Sequence, residues 1–144
     1  MRGVDLDGQA ENVKHLEFIQ GVITRVANSS FLIKGWTLTV TAALLGFAAQ
    51  GSSRRLTLIG LVAVVGFWVL DAFYLRQERL YRKLYDDVRR DLDFERFSMD
   101  VRPYRKAVPL WRVLFSRTLL VFYGALVLVT LAILIFAPIV QKIR

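Results

Sequence analysis

The second apolar segment of the chain does not stop where a membrane would. Residues 56–70 (LTLIGLVAVVGFWVL) carry no charge, and Asp71 then opens a strongly charged run, DAFYLRQERLYRKLYDDVRRDLDF. Between Phe67 and Val101 there is neither Gly nor Pro, the residues that most reliably end a helix. A helix over 56–92 is about 55 Å long at about 1.5 Å per residue, well beyond a bilayer core of about 30 Å. Half of such a helix stands in water. The feature sets class and topology while pointing to no reaction.

The 144 residues are 55% hydrophobic and still carry a net charge of +8. Soluble domains rarely combine the two, but a chain that segregates them along its length does. Residues 119–140 (LLVFYGALVLVTLAILIFAPIV) are 22 in a row without a charge, a strong spanning signal. Residues 31–49 form a weaker one, because Lys34 sits near the start and three threonines dilute it. The first two segments alone would also suit a buried hairpin of a soluble protein, but the third would not sit in water. Acidic residues at 5, 7, 11 and 17 argue against a cleavable leader.

The pattern predicts an all-α integral membrane protein with three transmembrane helices. Its expected divisions are an amphipathic cytoplasmic helix (1–30), a first span (31–49), a periplasmic turn (50–55) and a second span (56–75). A cytoplasmic extension (76–97), a basic juxtamembrane loop (98–117), a third span (118–140) and a short tail (141–144) complete it. The N-terminal and middle regions hold sixteen Lys and Arg against four in the turn and tail. The positive-inside rule then puts the N-terminus in the cytoplasm of a bacterial inner membrane.

Asp71 is the one acid within a span, and such charges need a partner. Positions mirrored about a turn centred at 52.5 lie side by side in a hairpin, and Lys34 mirrors Asp71. The expected pair is a structural clamp rather than an ion- or proton-handling site. A small-residue stripe (Gly35, Thr39, Ala43, Gly46, with Gly60, Ala63 and Gly66 opposite) suits close helix packing. Thr37 and Thr41, one turn apart, offer a polar seam.

The N-terminal helix has Val13, Leu16, Ile19, Ile23 and Val26 at helical spacing, suited to a leaflet surface or to packing on the protruding helix. That helix carries a stripe of Leu80, Leu84 and Val88 beside Tyr81, Tyr85 and Leu92. The stripe needs cover from the N-terminal helix, a second copy or a cytosolic protein, and a homo-oligomer is the expected answer. Elsewhere on it, Glu78–Arg82, Arg82–Asp86, Lys83–Asp87, Asp86–Arg90 and Arg89–Asp93 are spaced to pair. Arg102, Tyr104, Arg105, Lys106, Trp111, Arg112 and Arg117 before the third span suit an interfacial belt on anionic lipid, which explains the patch more simply than nucleic acid.

His15 is the only histidine, cysteine is absent, and no phosphate-binding loop, dinucleotide fingerprint or nucleophile elbow occurs. Ser98 and Asp100 read as a cap or turn, and the sequon at Asn28 carries no assignment. The expectation is a protein without catalytic activity, metal or cofactor. At HLEFIQGVITRVANSSFLIKGW, DAFYLRQERLYRKLYDDV and FSMD the chain resembles a family of small bacterial multi-span membrane proteins. The hairpin running into a cytosolic helix, over residues 10–100, resembles SLATT-type proteins, with the third span a departure from their two-span layout. The resemblance implies an oligomeric, membrane-perturbing or pore-forming effector of antiviral defence, triggered by a cytosolic partner. A membrane scaffold that recruits a soluble protein, or a small ion channel, are the alternatives.

Overall fold

The structure, a computed structural model, describes the backbone of residues 2–51, 54–90 and 97–143 and the side chains of 8–48, 55–90 and 97–135. A single helix, α1, runs from Arg2 to Gly51 without interruption. The expected division into an amphipathic helix over 1–30 and a separate span over 31–49 is therefore corrected. The junction holds no proline, and the hydroxyls that might cap a new helix bond back to the old one. Thr24 Oγ1 donates to the Gln20 carbonyl and Ser29 Oγ to that of Arg25, both at 3.0 Å.

Helix α2 (Arg54–Arg89, 36 residues) returns antiparallel to α1. Mirror positions meet along the whole hairpin. A Cβ placed on Gly60 would stand 3.7 Å from that of Leu44, Lys34 meets Asp71, and Ile19 and Ile23 cluster with Leu84 and Val88. The last of these settles what covers Leu84 and Val88 of the expected stripe, while Leu80 joins a second cluster with Val108, Val113 and Leu119. All three are at most 3% exposed, and Tyr81 and Tyr85 are half-buried beside them. A second copy as cover for this stripe is thus corrected, because α1 is long enough to reach past the apolar segments and lie on it. Leu92 and Asp93, with the rest of 91–96, fall outside the described residues. Of the ion pairs expected on α2, Glu78–Arg82 closes at 2.6 Å. Asp87 instead accepts the Tyr104 hydroxyl at 2.7 Å.

The segment over 98–117, expected as a loop or a broken, surface-hugging stretch, holds two short helical elements. Phe97 takes a positive φ of 59°, a costly conformation for a bulky residue. His15 lies against it, ring centroids 5.6 Å apart, and the His15 Nε2–H donates to the Ser98 carbonyl at 3.1 Å. The Asp100 carboxylate takes the backbone N–H of Arg102 at 2.9 Å and its Nε at 3.0 Å. Those bonds hold its carboxyl below the usual range and open a 3-10 turn, Arg102–Lys106. Pro103 sits at the start of that turn and Pro109 just before α3 (Leu110–Leu114). The prolines begin elements here rather than break one. Helix α4 (Arg117–Ile143) then runs through the expected tail as far as Ile143.

Tyr104 departs from the interfacial belt expected of it. Its ring packs inward between the two apolar clusters of the molecule. Burial, then the Asp87 carboxylate beside it, push the phenol up to about 12. The unfolded chain releases this proton first, near pH 10, so the contribution is complete below pH 10 and is lost between pH 10 and 12. Tyr104→Phe is expected to flatten the stability–pH curve in that window, measured by denaturant unfolding in detergent at several pH values.

Helices α1, α2 and α4 are each long and apolar enough to cross a membrane. Phe31, Trp36, Phe47, Val62, Val121 and Leu128 on them are between 62% and 73% exposed. So much outward apolar surface is unfavourable in water and ordinary in hydrocarbon.

Candidate functional site

Asp71 is fully buried where α1, α2 and α4 meet. It comes from α2 in the first turn after the charge-free run, and α1 presents Ser30 and Lys34, one turn apart on its facing side. Lys34 Nζ stands 2.6 Å from Asp71 Oδ2 with its side chain 23% exposed. The same ammonium donates to Ser30 Oγ at 2.9 Å, and Ser30 Oγ in turn donates to Asp71 Oδ1. From α4, the Tyr123 hydroxyl reaches Asp71 Oδ2 at 3.1 Å, with the Phe67 carbonyl at 3.3 Å. The carboxylate is the stronger acceptor of the two. Donors from both other spans therefore hold one carboxylate.

Seventeen residues separate Lys34 from the end of α1 at Gly51, and seventeen separate Asp71 from the start of α2 at Arg54. That places the cluster about 25 Å from the turn, near the far edge of a core of about 30 Å. Sequence reasoning found Lys34 and Asp71 but missed Ser30 and Tyr123. Ser30 was legible as the hydroxyl one turn before Lys34. Tyr123 was legible as the only tyrosine in the 22-residue run, since a phenol in hydrocarbon needs an acceptor. Trp68 fixes it in place, stacking at 6.0 Å and donating its Nε1–H to the Leu114 carbonyl at 3.1 Å. Tyr123→Phe removes one hydrogen bond to a charged group. It is expected to cost about 1–2 kcal/mol, read from reversible unfolding in detergent.

The small residues suited to close helix packing mostly lie outside the hairpin interface. Gly35, Thr39, Ala43, Gly46 and Gly66 are exposed, whereas Gly60 is buried and Ala63 half-buried. The hairpin face of α1 is Ser30, Lys34, Thr37, Thr41 and Ala48. One residue along the sequence is about 100° around a helix, so the neighbouring stripe turns outward. Thr37 bonds the Ile33 carbonyl of its own helix at 2.7 Å, while Thr41 Oγ1 is buried without a hydrogen-bond partner. A polar seam inside a single copy is thus narrow and partly self-satisfied.

Of the basic belt, Arg102, Arg105, Lys106, Arg112 and Arg117 are exposed, and Trp111 is 61% exposed with Arg112 5.5 Å from its ring centroid. Arg76 ties this segment to α2: its Nε donates to the Val108 carbonyl at 2.8 Å and Nη2 to that of Arg105 at 3.4 Å. Comparison of the chain with protein-family models, with curated proteins and with solved structures finds no match.

Proposed function

We propose that the chain is a non-enzymatic, self-associating protein of the bacterial inner membrane, with its N-terminus and the charged end of the hairpin in the cytoplasm. Its role in this reading is that of a SLATT-like effector in antiviral defence, whose assembly perturbs or opens the membrane when a cytosolic partner engages it. The supporting observation is the fully buried Asp71, held by groups from α1 and α4 where the charged half of the hairpin begins. A force that shifts the cytoplasmic pair disturbs a charge whose neutralisation depends on all three spans, so assembly and membrane state are coupled there.

Self-association finds support on the outward face of α1. Gly35, Thr39, Ala43 and Gly46 are a run of small residues that none of the described residues covers, the kind of face on which helices in lipid approach closely. Because Thr37 is bonded to its own backbone, any conducting path forms between copies rather than within one. Inducible expression in cells carrying a membrane-potential dye tests the reading. Depolarisation with growth arrest is the expected result, and a normal potential at high expression overturns it.

One observation favours the scaffold instead. A cavity of about 430 Å³ beside His15, flanked by Phe18 and Phe97, lies in the charged half of the molecule. Phe18 and Phe97 are 63% and 47% exposed, which suits a soluble partner. Normal potential together with partner capture that Phe18→Ser abolishes would select that role.

A further inference from the structure

A second cavity, of about 260 Å³, lies between the charged half of α2 and the segment that leads into α4. Arg79, Arg82 and Lys83 line one side and Arg112 the other, while Ala107, Val108 and Val113 form an apolar floor. Arg79, Arg82 and Lys83 share a helical face at i, i+3 and i+4. Arg82 is paired with Glu78. Among the described residues no carboxylate lies within ion-pair distance of Arg79, Lys83 or Arg112. Three cations thus converge on one groove, with no acid paired to them among the described residues.

We infer that this groove is a binding site for the phosphate headgroup of an anionic phospholipid, with the glycerol and first acyl carbons on the apolar floor. Three observations favour a lipid over a soluble phosphate. The floor is apolar, which a free anion does not require. The volume is many times the ~30 Å³ that one water occupies in the liquid, enough for a headgroup with its glycerol. The position is the third: α3 passes through Phe115 and Ser116 directly into α4 at Arg117, and Trp111 and Phe115 stand exposed beside the groove at 61% and 64%. A tryptophan such as Trp111 marks the headgroup level. Arg76 holds the wall in place by bonding the Val108 carbonyl. The groove is a defined pocket within the broad basic belt, and its strongest contributors, on α2, lie outside the belt that the sequence suggested.

The inference rests on the membrane-embedded reading but not on effector activity, so a detergent-based binding measurement separates the two. The full chain in neutral detergent is titrated with palmitoyl-oleoyl phosphatidylglycerol and, separately, with phosphatidylcholine, and retained lipid is counted by native mass spectrometry. Phosphatidylglycerol is expected to bind preferentially. The triple variant Arg79→Gln, Lys83→Gln, Arg112→Gln should lower that affinity on the order of tenfold or more. A charge-matched variant, Lys14→Gln, Arg89→Gln, Arg90→Gln, should change it less than about twofold. Because Lys83 and Arg112 are exposed and Arg79 is half-buried, retained helicity by circular dichroism is expected, and Arg112→Gln alone, with a smaller loss of the same sign, guards against misfolding of the triple variant. Equal losses in the groove and charge-matched variants would overturn the site in favour of diffuse attraction. Displacement of the lipid by millimolar glycerol 3-phosphate or inorganic phosphate would overturn the lipid in favour of a soluble ligand.

Discussion

Asp71→Leu on its own is expected to destabilise the protein by about 3–5 kcal/mol, the usual result of removing one partner from a buried ion pair. The variant strands the Lys34 ammonium and leaves Ser30 and Tyr123 without their acceptor. Lys34 is the more forgiving partner, because its partly exposed side chain can swing toward the headgroups. Lys34→Met is therefore expected to cost less than Asp71→Leu. The informative comparison is with the double variant, Lys34→Met with Asp71→Leu. An apolar pair of similar volume removes both charges together and is expected to recover most of the loss, leaving about 1–2 kcal/mol for the hydroxyls that still lack their acceptor. Steric-trap or denaturant unfolding in detergent measures all three. A double variant as unstable as Asp71→Leu would show that the hydroxyl donors, rather than the charge pair, hold the junction.

The second large effect is expected at the open end of the hairpin, away from its turn. Ile19 is fully buried and Leu84 is 3% exposed, and both belong to the cluster that joins the charged halves of α1 and α2. Leu84→Ala or Ile19→Ala should cost about 2–5 kcal/mol. Ile19→Asp should cost more, since it buries an unpaired charge. The loss is local. Hydrogen exchange is expected to rise across residues 8–30 and 75–89 while the apolar halves stay protected, because the Asp71 cluster lies between the two regions. A cycle combining Ile19→Ala with Leu84→Ala should show a coupling of about 0.5–3 kcal/mol if the two side chains share one contact. Uniform exchange along both helices would mean that the hairpin opens as a single unit.

The hairpin was readable because its register follows from one number, the centre of its turn. With that fixed, charge alone paired Lys34 with Asp71. The continuity of α1 was harder to read. Its outward side turns strongly apolar from Phe31 onward, which looks like a boundary in a hydropathy profile, yet backbone hydrogen bonding is indifferent to how greasy that side is. The N-terminal helix was one of the three covers the sequence offered for Leu84 and Val88, but without that continuity a second copy looked the better one. The fold of residues 98–117 was illegible for another reason. It depends on contacts remote in sequence, such as His15 to Ser98 and Arg76 to Val108, which no local period encodes. Tyr104 illustrates the same limit: an aromatic beside arginines reads as interfacial until Asp87, seventeen residues earlier, supplies an acceptor.

The unbroken α1 turns the molecule into a lever. From the Lys34 level to Gly8, 26 residues of one rigid helix reach about 40 Å beyond the buried junction. Transmembrane helices adopt tilts from 0 to 40°, set partly by the thickness of the surrounding bilayer. A change of tilt of about 10° then swings the outer tip by about 7 Å, with no hinge in α1 to absorb it. In the proposed membrane setting, local thinning or stretching is thereby written as a displacement of the surface around His15.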